Sequence, residues 1–274
     1  MLGDNRYGKS HVRVVKVNRR PGRHTLRDMT VDVMLEGDFA GAYLEGDNRS
    51  LPATDTMRNT VYVLAKQHPI DSLESFGGAL VDRFMSRAGV VTATVRIREH
   101  PWLRLGDHEH AFQRGHGGTR VATVSVGGVS AGVEDLLVLR TTGSGFVGFQ
   151  RDEYTTLPET DDRIFATVVQ ATWDYARGSH DYEAVWSGIR DRLLASFADH
   201  YSPSVQFTLH QMGEAVLAAH VEVERIHLSL PNRHHLLFDL DRFGERNDNE
   251  VFEATTEPYG LIEGTIERAP TARP

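Results

Sequence analysis

Three stretches of this chain hold side chains whose types and spacing could do chemistry. From Ser144 to Ala166 a loop-like run carries two phenylalanines, Phe146 the first, and then Arg163 at the mouth of a strand. A flat anionic molecule would want that pair, a ring to stack on and a planar cation to grip its edge. Near the N-terminus, Lys9 follows Tyr7-Gly8. A lysine there is either a solvated strand end or a base, and a base needs burial or a positive neighbour to lower its pKa. Thr54 is the obvious hydroxyl partner, although helix capping alone would also explain it. Near the other end, Asn232 and His234 are two residues apart and project on one side of an extended chain. An amide and an imidazole placed so can hold a water or a small gas molecule and pass protons; a polar hairpin turn is the alternative.

Helix starts add to these groups. Pro52 precedes Thr54-Asp55 and Pro203 precedes Val205-Gln206. Helix N-termini expose N–H groups and a partial positive charge, so two such ends facing each other would suit an anion. Two ordinary capped helices would read the same.

The elements that must position these groups follow from periodicity. Residues 8–36 read as a strand pair about Pro21-Gly22, with Met29, Val31, Val33 and Leu35 alternating with more polar neighbours. Residues 37–53 read as loop. One helix opens at Thr54-Asp55, with Met57, Val61 and Leu64 on one face. A second takes Asp71 as N-cap with Glu74 closing a capping box, Ile70 as staple, and Leu73, Phe76, Leu80 and Phe84 as its stripe, stopped by Gly89. Strands follow at 91–98 and 120–126.

The second half repeats that order. It has strands at 133–142 and 163–173, then helices carrying Trp186, Ile189, Leu193, Phe197 and Val205, Leu209, Met212, Val216. Strands at 219–230, 234–240, 249–254 and 260–267 close it. The expectation is an α+β protein of two modules, 1–132 and 133–274, with antiparallel sheets and helices layered on one face.

Composition removes several functions. A net charge of −8 over 274 residues argues against nucleic acid as the main partner. No apolar run reaches membrane-spanning length, and the N-terminus lacks a signal-peptide core. With no cysteine, thiol nucleophiles, thiolate metal sites and disulfides are impossible. His108 and His110 form a His-x-His pair, but Gly106, Asp107, Glu109 and Gly115 around them read as a mobile polar loop. Phosphate-loop and nucleophile-elbow spacings are missing.

Several motifs are long and uncommon: Tyr7-Gly8-Lys9, the run Ala53 to Tyr62, Ser144 through Arg163, Ser204-Val205-Gln206, Leu230 to His234, and Asn249 to Phe252. Together and in this order they resemble the urate oxidase (uricase) family along almost the whole chain. The resemblance implies tandem tunnelling-fold (T-fold) modules. It implies homotetramers with active sites between subunits, acting on urate and dioxygen with no metal or organic cofactor.

By that resemblance Phe146 stacks under the purine, Arg163 and Gln206 grip its edges, Val205 adds a backbone contact and Leu157 packs beside the ring. Thr54 and Asp55 reach it from a second subunit. Lys9 pairs with Thr54 to abstract a proton, Asn232 holds dioxygen and later water, and His234 orients the lysine. Loops 37–51 and 100–119 have no distinctive match. Eukaryotic relatives often end in a peroxisomal tripeptide; Thr271-Ala-Arg-Pro274 is not one, and the expectation is a bacterial cytoplasmic enzyme. Two rivals are a zinc-dependent pterin-forming T-fold enzyme using His108 and His110, and a purine binder without catalysis.

Overall fold

A computed structural model describes residues 1–269; residues 270–274, including the Thr-Ala-Arg-Pro end, lie outside the described residues. The chain divides into two compact units. One comprises Met1–Val133 with Asp174–Trp186, the other Glu134–Trp173 with the chain from Ser187 onward.

The first unit opens with β1 (Tyr7–Arg20) and β2 (Arg23–Gly37), antiparallel about the Pro21-Gly22 turn. After the short α1 (Ala40–Leu44) come α2 (Thr54–Gln67), α3 (Leu73–Met85) and β3 (Val90–Glu99). A small hairpin, β4 (Trp102–Arg104) and β5 (Phe112–Arg114), leads to β6 (Thr119–Ser125) and β7 (Gly128–Arg140). The strand order is β1-β2-β3-β6-β7, and β7 runs through the division after Val133. The period-two pattern does what it implies: Met29, Val31, Val33 and Leu35 are fully buried, facing Met57 and Val61 of α2 and Leu73, Phe76 and Leu80 of α3. Helix α2 packs on β1, and α3 on β3 and β6.

The second unit holds the end of β7, β8 (Phe165–Tyr175), α4 (Tyr182–Ala198, from Ser187), α5 (Val205–Ala219) and β9 (Val223–Arg233). It continues with β10 (His235–Leu237), β11 (Phe252–Ala254) and β12 (Leu261–Glu267). The order is β7-β8-β9-β12, and α5 covers β9 and β12 through Leu209, Met212 and Val216.

Several local expectations are corrected. Asp71 is not the cap of α3. Ser72 is, in a reciprocal box with Ser75 (Ser75 N–H to Ser72 Oγ, 3.0 Å). Glu74, freed from capping, is buried and pairs with Arg120 Nη2 at 2.7 Å. Loop 37–53 contains α1. Loop 100–119 contains a hairpin, pinned where Arg104 donates to the carbonyls of His108 (2.7 Å) and Glu109 (2.8 Å). The strand expected at 133–142 begins at Gly128, and those at 234–240 and 249–254 shrink to three residues each.

Candidate active site

In the second unit a hollow of about 380 Å³ gathers residues from four distant parts of the sequence. Its lining includes Phe146, Leu157, Arg163, Asn232, His234 and Phe252. Backbone bonds bring the first three together. Phe146 and Thr160 exchange N–H···O bonds of 2.7 and 3.2 Å, and the Arg163 N–H donates to the Ser144 carbonyl at 2.8 Å. The loop is then tied to the start of α5, since Gly145 N–H donates to Ser202 O (2.8 Å) and Ser202 N–H to Gly143 O (2.9 Å). Gly145 leaves little room for a larger residue: a Cβ would lie 3.0 Å from the Thr160 carbonyl and 3.1 Å from Asp161 Cα, and would displace the Tyr201 hydroxyl.

The Arg163 guanidinium lies 5.4 Å from the centre of the Phe146 ring. It has no ion pair among the described residues, and its Nε is buried without a hydrogen-bond partner. Burial pushes its pKa down, the direction expected of a cation kept from water without a counter-ion. A second ring, Phe149, stacks on Phe146 at 4.8 Å and 9° between planes, and Arg151 caps that ring at 5.3 Å. Phe149 does not line the hollow, so it backs Phe146. Sequence reasoning gave Phe149 no role, although its spacing of three from Phe146 in a glycine-flanked loop was the available signal.

Asn232 is the penultimate residue of β9 and His234 follows that strand. The Asn232 amide lies 3.5 Å from His234 Nδ1, on the shared side that their spacing implies. Val205 and Gln206 open α5, which Ser204 caps by accepting from the Phe207 N–H at 3.2 Å. Val205 is buried and Gln206 exposed; neither lines the hollow itself.

The other three residues lie in the first unit. Lys9 is half-buried on β1 at a bulge, where the register with β2 shifts between Lys9 and Val12. Gly8 beside it is needed for close approach, because a Cβ would lie 1.8 Å from the Val33 carbonyl. Tyr7 donates its hydroxyl to the Pro52 carbonyl at 2.9 Å, tying the start of β1 to the turn before Thr54. Burial, with Tyr43 nearby, pushes the Tyr7 phenol up to about 12, so it remains a donor. Ala53, not Thr54, holds the cap position of α2 and makes no side-chain cap bond. Capping therefore does not account for Thr54, whose side chain is exposed with that of Asp55. Asp55 pairs with Arg58 at 2.7 Å and accepts from Asn59 at 2.8 Å.

The rings of His108 and His110 meet edge to face at 4.6 Å. Among the described residues no three or more His, Asp or Glu side chains converge as metal ligands would. No described helix is long and apolar enough to cross a membrane.

Sheet order and helices layered on the sheets define an α+β protein of the tunnelling-fold class, in which an arginine and an aromatic ring share one hollow. The family model for uricase matches residues 5–125 and 129–263. The chain is 44% identical to the uricase of Arthrobacter globiformis over 98% of its own length and 90% of that protein. It is 43% identical to the uricase of Dictyostelium discoideum over 98% of each chain. The crystal structure of uricase from Arthrobacter globiformis superposes with a TM-score of 0.96, covering all of this chain and 97% of that one at 44% identity. This chain belongs to the uricase family.

Proposed function

We propose that the protein is a urate oxidase that needs no metal or organic cofactor. Its overall reaction takes urate, dioxygen and water to 5-hydroxyisourate and hydrogen peroxide. The observation that carries this reading is Arg163: a half-buried guanidinium without a counter-ion among the described residues, next to an aromatic ring, on the wall of a hollow. A cation left in this state is completed by a planar anion, and urate is one.

Phe146 forms the floor under the purine and Leu157 packs at its side. Arg163 and the Gln206 amide hold two edges, and the Val205 backbone a third point. Thr54 and Asp55 arrive from a neighbouring copy in a homotetramer built from tandem modules, 1–132 and 133–274. Lys9 and Thr54 remove a second proton from the bound monoanion. The dianion is electron-rich enough to pass two electrons to dioxygen, which leaves as peroxide after gaining two protons. Asn232 holds the oxygen, then the water that adds to the oxidised ring, and His234 orients Lys9. The protein's part is to stabilise the dianion and keep the reactants aligned. A cytoplasmic location goes with this reading.

The test uses purified full-length protein and urate. Under air, loss of urate with stoichiometric peroxide supports the proposal. Binding under nitrogen without turnover under air would leave a binder instead. Activity lost on chelation and restored by zinc would favour the metal-dependent rival.

A further inference from the structure

Behind the hollow, in the second unit, lies a chain of buried polar groups that the proposed chemistry does not use. His200 Nδ1 lies 2.7 Å from the Ser196 carbonyl, and its Nε2 lies 2.9 Å from Thr208 Oγ1. Thr208 Oγ1 is 2.8 Å from Ser202 Oγ, and Ser202 Oγ donates to the Ser204 carbonyl at 3.0 Å. Thr208 and Ser202 are fully buried, so water cannot replace a missing bond. The chain ends at the residue that caps α5. Ser202 is also the residue whose backbone holds the Phe146 loop at Gly143 and Gly145.

Counting protons along this chain gives a definite result. A carbonyl only accepts, so Nδ1 must carry a hydrogen for Ser196 and the Ser202 hydroxyl must spend its single hydrogen on Ser204. Thr208 must then give its own hydrogen to Ser202. Nothing is left for the contact between Thr208 and His200 unless Nε2 is protonated as well. All four links are made only by the imidazolium. A neutral His200 leaves one contact without a proton, two lone pairs facing each other at hydrogen-bond distance.

We propose that His200 is a positioning residue for the candidate pocket: its second ring proton completes the Thr208–Ser202–Ser204 chain and fixes the start of α5, with Val205 and Gln206, against the Phe146 loop. The proposal rests on the urate-oxidase reading for its readout.

The surroundings of His200 set where the switch falls. Burial pushes its pKa down, the Ser196 carbonyl raises it, Arg140 on β7 lowers it and Asp199 raises it. Arg140 donates to the His200 carbonyl. Arg192 of α4 and Glu214 of α5 share the surface hollow with His200, with His210 3.9 Å from Glu214. The Phe207 ring lies 5.8 Å from the imidazole. The net direction is downward, so the chain completes below the ordinary histidine range.

The experiment measures urate binding under nitrogen, where turnover cannot occur, from pH 5 to 9. It compares the wild type, His200→Gln and Thr208→Val, and follows the His200 ring by NMR. Taking variant-to-wild-type ratios cancels the ionisation of urate itself. The expected ratio is on the order of tenfold weaker binding below the His200 midpoint, the worth of one hydrogen bond from a charged donor. Well above that midpoint it shrinks to under twofold for His200→Gln and to a smaller constant loss for Thr208→Val, which also lacks the bond to Ser202. Thr208→Val keeps the imidazole, so it decides the matter if His200→Gln fails to fold. Ratios that stay flat across the His200 midpoint overturn the proposal. A wild type that binds no urate at any pH overturns the functional reading instead.

Discussion

The two units treat an arginine in opposite ways, Arg120 fully buried in the first and Arg163 half-buried in the second. In the first unit Arg120 meets Glu74 at 2.7 Å, pairs also with Glu183, and lies 5.2 Å over the Trp186 ring. Glu183 in turn pairs with Arg27, which pairs with Glu99. In the second unit Arg163 has an aromatic neighbour and no carboxylate. The difference separates a cation that closes a core from one that we assign to a ligand. Both carry a buried Nε without a hydrogen-bond partner, so that atom does not distinguish them; the paired carboxylate does.

This comparison can be broken in order of expected effect. The first test concerns Lys9 and Thr54, the proton-handling residues proposed in the first unit. Lys9→Met and Thr54→Ala each slow kcat by roughly 10²–10⁴-fold while leaving anaerobic urate affinity within about twofold. Losses that multiply in the double variant would show that the two do not act as a pair.

Next is Arg120→Met, which strands the buried Glu74 carboxylate and lowers unfolding stability by about 3–5 kcal/mol. Urea denaturation measures this, and an unchanged midpoint would mean that Glu74 does not rely on Arg120. Arg163→Met gives the mirror image. Urate binds roughly 10- to 150-fold more weakly, the worth of a charged hydrogen bond. The urea midpoint stays or rises, because a half-buried cation without a counter-ion is gone. A destabilised protein with normal affinity would reverse the roles assigned to the two arginines.

A smaller effect attaches to Phe149. Phe149→Leu removes the ring behind Phe146 and weakens urate binding by about two- to tenfold, following the ~0.5–1.5 kcal/mol of an aromatic pair. Equal affinity would make Phe149 packing only.

The smallest is a pH effect shared by both units. Burial pushes the histidines His68 and His100 of the first unit and His200 of the second below the usual 6.5. Their unfolded forms take up protons first. Their stability contribution is therefore fully present above about pH 6.5 and is lost as pH falls toward the folded values. Urea midpoints at pH 8, 6 and 5 should decline in that order; a rise on acidification would contradict it.

What could be read without coordinates was whatever depends on neighbours in sequence. Alternation from Met29 to Leu35 needs only the pleat, and the stripes of α2, α3 and α5 need only the helical repeat. Asn232 and His234 share a side because their separation forces it. The cap of α3 shows where such reading stops. Asp71 with Glu74 and Ser72 with Ser75 are equivalent locally. Burial of Glu74 against Arg120, 46 residues on, selects the second.

For this protein, then, residue types and spacing determined the strands, the helices and the inventory of candidate groups, because those depend on short-range sterics and periodic burial. Tertiary structure alone decided which charges close on each other. Arg120 and Arg163 look alike in sequence; only packing gives one a carboxylate and leaves the other facing a hollow. It also decided that Ser202, Thr208 and His200 form one chain. Hydrogen bonding between side chains depends on distances of a few ångströms, and the sequence does not contain them.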